Sequence, residues 1–212
     1  MKPELLAEYE VQCQAFLAAE EGVDVAHDLS HIFRVVKVAK QLANEEKANL
    51  AVIVPSAWLH GCVSFAKNHP ERSKASTLAA DKAVAFLTSI DYPEVYLDAI
   101  HHAIQTHSFS ANIAPESLEA KIVQDADRLD ALGAIGVARC MQVSGALNRA
   151  LYASEDPFCV ARTPDDTLYS IDHFYKKLFC IAKSLNTASA RLEGRRREKV
   201  MRTFLTQLAV EI

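Results

Sequence analysis

Apolar residues recur along this chain at intervals of three and four, the spacing of one helix face rather than the alternation of a strand. Residues 1–20 predict a first helix. The clearest stripe lies at residues 30–46. There Ile32, Val35, Val36, Ala39, Leu42 and Ala43 share a face, and Arg34, Lys37, Lys40 and Gln41 fall mostly outside it. Residues 50–65 are apolar almost all round and predict a buried central helix, in which Pro55 marks a kink or a first turn. Further helices are predicted over 76–90, with Ser76 or Thr77 as N-cap, and over 94–106 and 116–132. A break at Gly133 to Gly136 precedes helix 137–143, and a helical pair over 171–185 and 188–212 closes the chain. Residues 68–74, 108–115 and 154–167 are polar and read as loops. Few segments alternate as strands do, and the chain has only six glycines. No repeat or linker divides it. The pattern therefore predicts an all-α fold with one domain over residues 1–212.

Composition narrows the function classes. The chain has 212 residues, of which 50% are hydrophobic and 24% charged, enough to bury a sizeable core. A formal charge of −4 argues against binding a nucleic-acid polymer, which needs a basic surface. A small anion is still admissible, since a metal and a few local cations hold one phosphate. The five cysteines are scattered and none forms a CxxC pair, a pattern of free thiols in a reducing compartment. The opening residues lack a signal-type apolar run, and residues 50–59 are too few to span a bilayer. These features together place the protein in the cytoplasm, away from membranes.

Three stretches depart from ordinary helical patterning. His27 and His31 stand four apart at the start of the amphipathic stripe, and His31 leans toward its buried side. Taken alone, they are more simply read as a polar N-terminal turn with a partly packed histidine. His60 lies within the most hydrophobic segment, where a buried imidazole needs partners for both nitrogens. A backbone carbonyl or a metal answers that need. Asp125, Asp127 and Asp130 fall within six residues of a segment that should be buried. Carboxylates there are costly unless a cation neutralises them, and Arg128 is the alternative to a metal. Imidazole and carboxylate donors together suit Mn, Fe, Co, Ni or Zn, with Mg favoured only by oxygen-rich sites. Two histidines and one carboxylate leave positions open for water and substrate.

The order of His31, then His60 in an LHxC segment, then DADRLDALG resembles the HD-domain metal-dependent phosphohydrolases. AKNHP (66–70), HSFSA (107–111), IVQDADRLDALGAIG (122–136), SGAL (144–147), EDPF (155–158) and DHFYKKL (172–178) extend the likeness over nearly the whole chain. They are similar to the YedJ-like bacterial branch of that family. The resemblance implies an HD-type helical bundle with His31, His60 and Asp127 holding a divalent ion. It also implies attack of metal-bound water on a phosphate ester or anhydride, most directly a nucleotide or nucleoside triphosphate. Asp125 is a candidate second carboxylate, and His102, His107 and Lys67 are candidates for contacting phosphate. His107 should lie just past the end of its helix. His27, Asp130 and Arg128 are further possible members of the site. One position departs from the pattern: the His-Asp doublet of the family reads His60-Gly61 here, so an expected carboxylate is missing. That departure keeps open a second reading, an HD protein of weakened or lost catalysis that binds a nucleotide or regulates a partner.

Overall fold

The central helix is built from what its sequence buries. The structure is a computed structural model; it describes residues 1–19, 25–63, 65, 69–108 and 111–212, with backbone alone at 25–28. Among these residues the regular structure is helical, apart from one isolated bridge between Ala150 and Tyr169, so the fold is all-α. The chain forms two compact units, Met1–Asp127 and Arg128–Ile212.

In the first unit, α1 (Pro3–Ala18), α2 (Val25–Glu46), α4 (Ala75–Ser89) and α5 (Leu97–His107) surround α3 (Leu50–Leu59). Every residue of α3 from Ala51 to Leu59 is buried. Its first turn is capped by Asn49, whose side-chain oxygen accepts from the Ala51 N–H at 3.0 Å. Pro55 sits inside α3 and has no N–H to give the Ala51 carbonyl. The Tyr92 hydroxyl donates to that carbonyl instead, at 2.6 Å. The proline thus stays within a continuous helix because a side chain from another segment replaces the missing donor.

Several boundaries differ from the sequence-based expectation. α3 ends at Leu59 rather than near residue 65, with His60 as C-cap and Gly61 already in a turn. α2 starts at Val25, earlier than residue 30. α4 starts at Ala75, so Ser76 and Thr77 are helical residues and neither is its N-cap. The reason is the 3-10 turn Arg72–Lys74, which runs straight into the helix and gives the Ala75 N–H the Arg72 carbonyl. α5 extends through His107, which is therefore inside the helix rather than beyond it.

α6 (Leu118–Asp130) carries the boundary between the units in its last turn. In the second unit, α7 (Gly133–Ala146) and α8 (Phe179–Lys183) pack on α9 (Ala188–Glu211). The expected break at residues 133–136 falls earlier, at 131–132. Gly133 opens α7 with a left-handed φ of 71°, and a side chain at Gly136 would collide with the Ala131 carbonyl. Both glycines therefore belong to the helix they were expected to precede. The polar segment over 154–167 is tied down at the fully buried Asp172. Arg162 grips that carboxylate with two bonds of 2.5 and 2.6 Å, and the Asp165 N–H adds a third of 2.6 Å. All five cysteines are free thiols, and no described helix is long and apolar enough to cross a membrane.

Candidate metal centre

Three helices of the first unit bring His31, His60 and Asp127 to one point. His31 is on α2, next to the buried Ile32 and one turn before the buried Val35. His60 caps α3 and is 3% exposed, so the apolar helix that precedes it draws the imidazole inward. Asp127 lies in the last turn of α6, between the buried Ala126 and Leu129 rows. The buried Gln124, one turn earlier, donates to the Thr106 carbonyl of α5 at 2.7 Å and so fixes α6 against that helix.

The donor atoms face one another. His31 Nε2 is 3.2 Å and His60 Nε2 3.8 Å from the same oxygen, Asp127 Oδ1. All three ligand atoms lie within 4.8 Å of each other. Donors about 2.0–2.2 Å from one ion stand roughly 3–3.5 Å apart when 90–110° separates them, so these spacings fit a shared cation.

The tautomer of His60 supports the same fit. Its Nδ1 lies 2.8 Å from the Ala57 carbonyl, which only accepts, so Nδ1 carries the hydrogen. Nε2 is left with its lone pair turned toward Asp127. Burial, helped by the nearby His107, pushes the His60 imidazole down to about 3 against the pull of Asp127. The ring is then neutral near pH 7, the form that ligates a metal. Burial works to raise the Asp127 carboxyl, yet the hydrogen bond from His31 and the nearby imidazoles of His60 and His107 outweigh it. They hold the group well below the usual carboxylate range. Two neutral nitrogen donors and one anionic oxygen are a donor set for Mn, Fe, Co, Ni or Zn.

His107 stands beside this group without joining it. Its ring is 4.9 Å from that of His60, edge to face. Its Nδ1 is 2.6 Å from the Ile104 carbonyl, so Nε2 again holds the free lone pair. The remaining candidates are placed differently. His102 Nε2 accepts from the Glu116 N–H at 3.1 Å and holds the segment before α6. Asp125 is fully buried and lies outside the group of three, because residues two apart on a helix point to opposite sides. Asp130 pairs with Arg139 at 2.5 Å. Arg128 donates to the Ser184 carbonyl at 2.8 Å. Lys67 and the side chain of His27 lie outside the described residues. Sequence reasoning missed Gln124 as a positioning residue; its signal was an amide directly after the apolar pair Ile122 and Val123.

Comparison with known proteins bears on the family and the fold. Residues 28–132 match the HD domain family. The crystal structure of an HD-superfamily hydrolase from Bacillus thuringiensis is 31% identical, covers 97% of both chains and superposes with a TM-score of 0.77. The chain belongs to the HD-domain family. Its relative YpgQ of Bacillus subtilis is 32% identical over 190 residues, 88% of this chain and 84% of that protein. A crystal structure of YpgQ in complex with ADP superposes with a TM-score of 0.72 at 26% identity, over 98% of this chain and 96% of that one. This HD-domain protein therefore shares the HD-superfamily hydrolase fold over nearly its full length.

Proposed function

We propose that this HD-domain protein is a metal-dependent phosphohydrolase that cleaves a phosphate ester or anhydride of a nucleotide. The observation that carries the reading is the convergence of His31 Nε2, His60 Nε2 and Asp127 Oδ1 on one point. These residues would hold a divalent cation. When bound, such an ion acidifies a water for attack and draws charge from phosphoryl oxygens. His60 is kept neutral by burial and oriented by the Ala57 carbonyl, so its Nε2 needs no deprotonation before it ligates. His107 is oriented by the Ile104 carbonyl, and its Nε2 is a candidate contact for a substrate phosphate. Lys67, in the AKNHP segment, is a second candidate contact for that phosphate. The relative that holds ADP supports a nucleotide as the substrate class. The five free thiols fit a reducing cytoplasm.

The test is release of phosphate or pyrophosphate from a nucleotide panel by protein loaded separately with Mn, Co, Ni or Mg. Release is expected with Mn or Co and not with the Asp127→Asn variant. No release with any ion overturns the reading. Gly61 favours one other reading, a nucleotide-binding HD protein without turnover. Nucleotide binding with no release under every ion would establish that one.

A further inference from the structure

Gly61 directly follows the buried His60, where the family resemblance implies the aspartate of a His-Asp doublet. It is half-buried and its φ is not left-handed, so nothing in the backbone calls for glycine. A Cβ built there meets one described side-chain atom, Ile32 Cδ1, at an ordinary contact distance of 3.8 Å. Among the described residues there is therefore room beside His60 for a donor that position 61 does not supply.

Charge sharpens the point. The three donors bring one negative charge, from Asp127, because His31 and His60 ligate as neutral rings. A divalent ion held by them would keep one net positive charge, and the space at Gly61 adjoins Ile32, the neighbour of His31 on α2. His107 cannot remove that charge, since imidazole is a neutral donor, and it stands outside the group of three. A phosphate oxygen supplies both a ligand and a negative charge.

We propose that Gly61 leaves a coordination position for a phosphate oxygen of the nucleotide, so that divalent cation and nucleotide bind this protein cooperatively. The inference rests on the metal-centre reading above and adds the order of affinities. The ion alone binds weakly, and the nucleotide tightens it. By linkage the ion tightens the nucleotide by the same factor. A carboxylate at position 61 would fill the same place from within the chain and remove the dependence.

The experiment measures Mn2+ occupancy at buffered free Mn2+, with and without saturating ADP, for the parent protein and for Gly61→Asp and Gly61→Ala. In the parent and in Gly61→Ala, ADP is expected to lower the free Mn2+ needed for half occupancy by roughly 10- to 100-fold. Gly61→Asp is expected to bind Mn2+ tightly without ADP and to lose most of that factor. Equal half occupancy with and without ADP in the parent overturns the inference, as does an undiminished ADP effect in Gly61→Asp. Tight ADP-independent binding that vanishes in His107→Ala also overturns it, by showing that an imidazole fills the position, and leaves the metal centre standing. Absence of Mn2+ from every protein under every condition instead removes the metal-centre reading itself.

Discussion

At the scale of single residues, the site depends on polar groups held in an apolar setting by backbone carbonyls. His60 is placed by the Ala57 carbonyl and His107 by the Ile104 carbonyl, each three residues back on its own helix. Substituting Asp127 by Asn removes the one anionic donor of the group. It is expected to weaken Mn2+ binding by about two orders of magnitude, close to 3 kcal/mol, in a competition assay with a metal indicator. His31, His60 and Asp127 were legible in the sequence because each is a polar residue on a row that packing would otherwise give to apolar side chains. The tie of His102 to Glu116 was not legible, because it joins two segments through one backbone N–H. Asp172 offers a separate test. Burial pushes its carboxyl up, but the bonds from Arg162, the Asp165 N–H and Cys159 bring it below its ordinary value. A depressed folded-state value adds stability above the unfolded value and loses it as pH falls toward the folded one. The urea midpoint should therefore fall between about pH 5 and about pH 3, and fall less in Asp172→Asn.

At the scale of elements, α3 shows how a helix breaker is accommodated. Pro55 leaves the Ala51 carbonyl without its helical donor, and Tyr92 supplies one. Tyr92→Phe should cost about 1–3 kcal/mol in urea unfolding, the penalty of a buried acceptor left unpaired. In a Pro55→Ala background the helix N–H returns, and the same substitution should cost clearly less. A double-mutant cycle with no coupling would contradict this account. Pro55 was visible in the sequence; its remedy, 37 positions away in a Tyr-Pro turn, was not. Helix identity followed from periodicity except where Glu94–Tyr96 forms a 3-10 turn and Phe174–Leu178 a π-helical one, and ends shifted where local geometry intervened. The turn at Arg72–Lys74 displaced the expected cap of α4. Gly136 could not announce from sequence that it faces the Ala131 carbonyl. Gly136→Ala is expected to destabilise the second unit by about 1–3 kcal/mol, read from its thermal unfolding.

At the scale of the whole molecule, all three candidate ligands lie within residues 1–127, so cation binding adds directly to the stability of the first unit. A ligand at a hundred times its dissociation constant stabilises by about 2.7 kcal/mol. For a chain of this size that raises Tm by roughly 5–10 °C. Mn2+ with ADP should produce this shift in a thermal melt and a chelator should abolish it; an unchanged melt would count against the centre. The all-α class was legible across the chain because helical spacing persists from end to end, but the division into two units was not, since it falls inside α6 with no change of composition to mark it. The space beside Gly61 has a genetic side as well. Every glycine codon lies a single base from a codon for an acidic residue, and among the described residues a Cβ there meets only Ile32 Cδ1, at an ordinary contact distance. On the proposed coordination, lineages of this protein would pass between three donors and four in one mutational step.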